Sequence, residues 1–153
     1  MSGLTLRPAR EEDVPQIEAL LQAEHLPPQG IKDWLPHFFV LEDGGRVVGS
    51  VGLEVYGQAA LLRSVAVTPE LRGGRQGERL VQAALSRTRE LGVRSVYLFT
   101  MAAGDFFARY GFRDVPVEEF EPAVRDSFQV RAVSSQPQLR QLVRAMRLEV
   151  DSV

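Results

Sequence analysis

The chain contains no cysteine, and that absence removes disulfides, thiolate metal sites and any cysteine nucleophile together. Histidine is almost as scarce. Two residues, His25 and His37, are too few for a histidine-built metal centre, so no metal is expected. Nor is there an excess of positive charge: the formal net charge is -2, far from the basic footprint of a nucleic-acid binder. Lys32 is the sole lysine, so the positive charge is carried by arginine, the side chain suited to bidentate capture of carboxylates and phosphates. No run of about 18 apolar residues occurs, so no membrane span is expected. The N-terminal MSGLTLRPAREED lacks the apolar centre of a signal peptide, and the expected address is the cytoplasm. What remains, 153 residues with 44% apolar and 25% charged, fits one globular domain over 1–153.

The stretch Leu61 to Leu80, LLRSVAVTPELRGGRQGERL, stands apart from generic packing. An apolar strand ends at Val67, Thr68-Pro69 interrupts it, and a turn crowded with Arg and Gly opens a helix. Such a turn gathers unpaired backbone NH groups and the positive end of the helix at one point, which suits an anion.

Around that stretch the chain reads as alternating elements. Leu4 to Arg7 alternate as a short strand. Glu11, Glu12 and Asp13 begin a helix whose stripe is Val14, Ile17, Leu20 and Leu21, with Pro15 tolerable in the first turn. Residues 26–37 begin with Pro-Pro and carry Ile31, Trp34 and Leu35 at helical spacing, which fits a short mobile helix or a structured loop, the expectation being a short helix at the lip of a site. Strands at Phe38 to Leu41 and Arg46 to Tyr56 are joined by Glu42-Asp43-Gly44-Gly45, a hairpin signal. Gly57-Gln58 turns the chain into a third strand, Ala59 to Val67. A helix with the stripe Leu80, Val81, Ala84, Leu85, Thr88 and Leu91 stops at Gly92. The strand Val93 to Thr100 follows, and the helical crossover allows it to run parallel to the strand ending at Val67. A short helix over Ala103 to Tyr110, a strand over Phe112 to Val117 and a last strand over about 143–150, preceded by an irregular or helical segment, complete the chain.

This order, together with LLRSVAVTPELRGGRQGERLV and YLFTMAAGDFFARYGF, resembles the GNAT superfamily of acyl-CoA-dependent N-acetyltransferases. Within it, GLEVYGQAALLRSVAV is similar to acetyltransferases encoded with arsenic-resistance genes. The Gly77-Glu78 pair and the FF...GF ending are similar to the acetyltransferase domain of N-acetylglutamate synthase. The resemblance implies an α/β fold with a central mixed, mostly antiparallel sheet, helices on both faces, and the fourth and fifth strands parallel and splayed. It implies acetyl-CoA as co-substrate, a small amino-acid-like amine as acceptor and direct transfer within a ternary complex. It is compatible with a homodimer, and it involves neither nucleic acid nor membrane. Two rivals stay open: a protein or peptide acetyltransferase, and a CoA-binding sensor module that has lost its chemistry.

On this resemblance Arg72, Gly73, Gly74, Arg75, Gln76, Gly77 and Glu78 hold the CoA pyrophosphate, and the backbone of Val65, Ala66 and Val67 lines the pantetheine arm. Two positions depart from the superfamily pattern. Arg75 stands where an inner glycine is expected, and its Cβ resists a left-handed backbone. Phe107 stands where many members have a tyrosine that protonates the leaving thiolate; it has no proton to give. Tyr110, about 300° further around a helix, is not an equivalent substitute and reads as packing at a helix end. Glu54 and Tyr56 share a strand face and are the candidates for a base or water relay, although Glu54 reads equally as a solvated carboxylate. Arg63, in an otherwise apolar strand and in face with Val65 and Val67, pairs either with a substrate carboxylate or with Glu54 or another internal acid. Thr100 is a candidate hydrogen-bond donor to substrate. An α-amine acceptor is favoured by its pKa of about 8: exposing its neutral form at about pH 7.5 costs under about 1 kcal/mol, against about 4 for a lysine amine.

Overall fold

The computed structural model describes residues 3–150. The elements run β1 (Leu4–Pro8), α1 (Val14–Ala23), β2 (Phe38–Asp43), β3 (Arg46–Tyr56), β4 (Ala59–Val67), α2 (Gln76–Glu90), β5 (Ser95–Thr100), α3 (Gly104–Ala108), β6 (Arg113–Asp114), α4 (Phe128–Ser135), α5 (Pro137–Leu142) and β7 (Arg144–Glu149), with short 3-10 turns between several of them. The strands form a seven-stranded sheet in the order β1-β2-β3-β4-β5-β7-β6, and helices flank it. β4 and β5 are parallel, while the β1/β2, β2/β3, β5/β7 and β6/β7 pairs are antiparallel. Two compact units are distinguished: residues up to Leu53 with Leu62–Arg87, and Glu54–Leu61 with the residues from Thr88 on.

In the first unit the expected stripe of α1 is the buried one. Val14, Ile17, Leu20 and Leu21 pack with Ile31, Phe38, Val40, Val47 and Ala66. Ahead of α1, Arg7 grips the buried carboxylate of Asp13 through both terminal nitrogens, at 2.7 and 2.9 Å. Asp13 also accepts from the backbone NH of Arg10 at 2.7 Å, so this acid closes the entry to the helix. The Gly44-Gly45 turn has φ of 58° and 88°, the left-handed pair that a tight hairpin requires. Residues 32–37 form a 3-10 helix with Pro36 inside it, in agreement with the predicted short helix. Along α2, Leu80, Val81, Ala84 and Leu85 are buried. Leu91 is 37% exposed and does not belong to the stripe, because α2 ends at Glu90 and the chain turns at Gly92, with φ of 74°.

The second unit holds the first part of the parallel ladder, Ala59↔Ser95, Ala60↔Val96 and Leu61↔Tyr97. Its core joins Ala59, Leu61 and Tyr97 to Val115, Val117, Phe120, Val124, Val130 and Val133. Tyr97 and Phe99 both pack on the Phe120 ring, at 4.4 and 5.2 Å between centroids. The predicted strand over Phe112 to Val117 shrinks to Arg113–Asp114. Pro116 offers no NH to a ladder, and Val117–Glu119 coil into a 3-10 turn instead. The segment before β7 is helical: Ser127 caps α4 by accepting from the NH of Gln129 at 3.2 Å, and α5 follows. β7 lies within the predicted 143–150.

One contact decides how closely β2 and β3 approach. Phe38 is opposite Gly52 in the register, and its ring covers the glycine so closely that a Cβ built there lies 2.3 Å from the ring. Gly52→Ala is therefore expected to destabilise the protein by about 1–3 kcal/mol through overpacking. Chemical denaturation should show a lower midpoint at unchanged slope, and an unchanged midpoint would refute the packing argument.

Candidate functional site

β4 changes character in its middle. Ser64 is buried with φ of 63°, a left-handed backbone that costs a non-glycine residue about 1 kcal/mol or more. Three hydrogen bonds hold the region in place. The carbonyl of Ser64 accepts from the hydroxyl of Ser50 at 2.7 Å, and its own hydroxyl accepts from Nε of Arg63 at 2.9 Å. The same guanidinium donates from Nη2 to the carbonyl of Pro27 at 2.9 Å and lies 5.8 Å from the centroid of the Phe38 ring. Arg63 is only 4% exposed, so the resolved bonds make it a tie between the strand and the 26–30 loop. The left-handed residue also interrupts the two-residue alternation that would carry Arg63 onto the face of Val65 and Val67. Past the kink, Val65 and Val67 are half-buried and Ala66 is buried.

The strand ends where the NH of Thr68 donates to the carbonyl of Val48 at 2.9 Å. Pro69–Leu71 then form a 3-10 turn, and the NH of Gly74 reaches back to the Leu71 carbonyl at 3.4 Å. Gly73 takes the left-handed position, with φ of 83°. Arg75 does not: among the described residues only His25 and Ser64 are non-glycines at positive φ. The carbonyl of Arg75 accepts the first helical bond, from the NH of Arg79 at 3.1 Å, which makes Arg75 the cap of α2. A side chain fits at a cap, so the loss of the inner glycine leaves the turn intact. The NH groups of Gln76, Gly77 and Glu78 precede that first bond and sit at the positive end of a 15-residue helix. Arg72, Gly73, Gly74 and Arg75 are exposed, and Gln76, Gly77 and Glu78 are half-buried; the seven residues follow one another through the turn into the start of the helix, a stretch rich in NH donors.

Arg72 is not idle in this structure. Its Nη2 forms an ion pair with Oε1 of Glu24, the residue that terminates α1. The sequence reading missed this partner, since Glu24 lies 48 positions away and carries no local signal. It likewise overlooked Ser50 and Ser64, whose importance comes from backbone geometry rather than side-chain type.

In the second unit Glu54 and Tyr56 meet as their spacing predicts. The Tyr56 hydroxyl donates to Oε1 of Glu54 at 2.6 Å, and Glu54 is 3% exposed, which is not the solvated carboxylate of the alternative reading. Burial, reinforced by the Glu54 carboxylate, pushes the Tyr56 phenol well above its usual range, with the Ser127 hydroxyl pulling weakly the other way. Tyr56 thus stays protonated at neutral pH. Thr100 has a structural duty, its hydroxyl oxygen accepting from the NH of Ala103 at 3.0 Å ahead of α3. Phe107 is buried between Phe106 and Phe112, with centroids at 5.1 and 5.8 Å. Tyr110 packs edge-on against Phe106 at 5.4 Å, the helix-end role expected of it. Among the described residues no group of three metal-ligating side chains converges, and no helix is long and apolar enough to cross a membrane.

Residues 35–114 match the family model described as an acetyltransferase (GNAT) domain. Over 152 residues the chain is 26% identical to a protein of Neisseria meningitidis serogroup A named amino-acid acetyltransferase, with 92% of this chain and 34% of that protein covered. It is 33% identical over 93 residues to an uncharacterized N-acetyltransferase of Chlorobaculum tepidum, covering 60% of this chain and 59% of the relative. Among solved structures, Rv2747 from Mycobacterium tuberculosis, in complex with CoA and NLQ, superposes with a TM-score of 0.80 at 25% identity, covering 96% of this chain and 99% of the other. N-acetylglutamate synthase from Neisseria gonorrhoeae, complexed with coenzyme A and N-acetyl-glutamate, shares the fold at a TM-score of 0.80 and 19% identity, over 99% of this chain and 36% of that one. The chain thus spans about a third of the length of the Neisseria amino-acid acetyltransferase it matches.

The Glu24 pair makes a quantitative expectation for the anion corner. An exposed pair of this kind is worth up to about 1 kcal/mol, so Glu24→Gln should tighten binding of inorganic pyrophosphate by about two- to fivefold. Arg72→Gln should weaken it by about tenfold through loss of a charge-assisted bond. Isothermal titration reads both; a weaker-binding Glu24→Gln would show that the carboxylate supports the site rather than competing for it.

Proposed function

The chain belongs to the GNAT acetyltransferase family, and from that footing we propose that it transfers the acetyl group of acetyl-CoA to the amine of a small amino-acid-like metabolite. The observation that carries the proposal is the turn into α2, where an exposed, left-handed Gly73 is followed by the first-turn NH groups of Gln76, Gly77 and Glu78 at the helix start. Its chemistry suits a pyrophosphate. The amino-acid acetyltransferase name of the Neisseria relative and the CoA carried by the Mycobacterium structure support the same reading.

Acetyl-CoA supplies an activated thioester, and the residues of this chain supply position and proton handling. Arg72 to Glu78 hold the pyrophosphate, and the backbone of Val65, Ala66 and Val67, beyond the kink at Ser64, lies along the pantetheine. A backbone NH of that segment stabilises the thioester oxygen as it gains charge. The acceptor nitrogen attacks the carbonyl carbon, a C–N bond forms, the C–S bond breaks, and the proton lost by nitrogen balances the thiolate that leaves. Glu54 is the base. Tyr56, held as a phenol, takes no proton in net terms; it passes one from the amine to Glu54 along the 2.6 Å bond. Arg63, buried and fastened to Ser64 and Pro27, holds the kink from which Val65 to Val67 run, and Thr100 orients the substrate. With Phe107 unable to protonate the thiolate, this apparatus suits an acceptor whose amine is already partly neutral at pH 7.5, such as an α-amine with pKa of about 8. Transfer is direct, in a ternary complex, since the chain has no cysteine to carry the acetyl group.

Titration with acetyl-CoA should give saturable binding in the micromolar to millimolar range, and an amine panel with free-thiol detection should show turnover on α-amino acids. Absence of binding sinks the proposal. Binding without turnover across the panel points instead to a CoA-binding module, and acetylated peptide without acetylated metabolite points to a peptide acetyltransferase.

Substitutions separate the proton handling from cofactor binding. Glu54→Gln should lower kcat by about 10²–10⁴ while leaving acetyl-CoA affinity unchanged. Because the pKa of Tyr56 is raised, its phenol form persists past its usual pKa of about 10. The kcat/KM profile should therefore rise with the substrate amine near pH 8 and show no falling limb from Tyr56 below pH 10. A limb near neutrality that disappears in Tyr56→Phe would show that Tyr56 ionises and would overturn the relay.

A further inference from the structure

In the second unit a cavity of about 310 Å³, open on one side, lies among the 3-10 turns, α4 and α5, and no step of the proposed transfer uses it. That volume is at the lower end of the range for small-molecule sites. Its apolar lining comes from Val117 and Val130, both buried. Three arginines, Arg125, Arg131 and Arg140, line it as well, together with the hydroxyl-bearing Ser134. We propose that this cavity binds a small organic anion, with a short apolar body against the valines and a phosphate or carboxylate among the arginines.

The charge arrangement supports this assignment. Glu118 is the one acid of the lining, against three arginines, so an excess of two positive charges is left for a ligand. Two of the three guanidinium groups are positioned by one side of the fork. Arg125 donates from Nε to the carbonyl of Phe120 at 3.2 Å and from Nη2 to the carbonyl of Glu118 at 2.5 Å, which fixes it to the backbone. Arg140 is held by the Glu118 carboxylate through Nη2. Arg131 has only a 3.7 Å approach to Asp126, with both side chains mostly exposed, a pair worth little in water. A guanidinium carries five N–H donors, so bonds through one or two nitrogens leave the others able to grip an oxyanion in bidentate fashion. Two of the three arginines are already ordered by their bonds to Glu118 and Phe120, which reduces the entropy lost when a ligand binds. A merely solvated arginine face needs no guanidinium fixed to the backbone as that of Arg125 is.

Phenyl phosphate serves as the probe, titrated into the chain of residues 1–153 with acetyl-CoA at saturation so that the anion corner at α2 stays occupied. Amide NMR should show saturable shifts centred on Val117, Val130, Arg131 and Ser134, with a millimolar or tighter Kd. Benzyl alcohol, which has the ring without the charge, should bind at least tenfold more weakly. Arg131→Gln with Arg140→Gln should weaken phenyl phosphate by at least tenfold. If loss of the Arg140–Glu118 pair unfolds the double variant, Arg131→Gln alone, at a mostly exposed position, should still lower affinity by about threefold or more. Shifts centred elsewhere, equal binding of benzyl alcohol, or an affinity insensitive to Arg131 would each overturn the site. A failure of acetyl-CoA to bind would count against the transferase reading and leave this test unaffected, since the phenyl phosphate shifts are read residue by residue.

Discussion

The left-handed backbone of Ser64 is the constraint on which the candidate cofactor strand depends. A residue at φ of 63° in the middle of a strand is unfavourable alone, and it persists because its surroundings over-determine it. Ser50 holds its carbonyl and Arg63 holds its hydroxyl, and both neighbours are buried, so water does not compete for those bonds. The result is a strand whose two halves have different duties. Up to Leu61 it is paired in a parallel ladder with β5. Beyond the kink its backbone runs to Thr68, where a bond to Val48 closes the element and the turn toward α2 begins.

Arg63 makes the constraint expensive and therefore informative. Burying a guanidinium costs several kcal/mol unless its donors are satisfied, and this one bonds a strand hydroxyl and a loop carbonyl and lies over the Phe38 ring. Phe38 in turn presses against Gly52. Strand geometry, the 26–30 loop and the hydrophobic packing of the first unit are thus coupled through one charged side chain. The turn after β4 works by the opposite principle. Gly73, Gly74 and the arginines are exposed, and what the turn supplies is a set of NH donors rather than a packed interior.

Much of this was legible in the chain. The stripes of α1 and α2, the Gly44-Gly45 hairpin and the parallel crossover into β5 follow from local periodicity and turn chemistry, which act over a few residues. The meeting of Glu54 with Tyr56 follows from the two-residue period of a strand. Where the reading missed, the cause was nonlocal or a competing backbone preference. The strand predicted over Phe112 to Val117 yields at Pro116, and Leu91 leaves its stripe because the helix stops one residue earlier. Glu24 as the partner of Arg72, and Pro27 as the partner of Arg63, bridge 48 and 36 positions, and no pattern in a single sequence connects them.

By itself, the order of residues determined the elements, the donor-rich character of the Arg72 to Glu78 turn and the scarcity of groups for nucleophilic or metal chemistry. These are properties of composition and of neighbours within about one helical turn. Only the tertiary structure decided that Gly73 rather than Arg75 takes the left-handed position, that Ser64 is the kink, that Glu54 is buried, and that three arginines from separate turns and helices share one cavity. Those outcomes depend on which distant groups satisfy a buried donor, acceptor or charge, and that choice is made when the chain closes on itself.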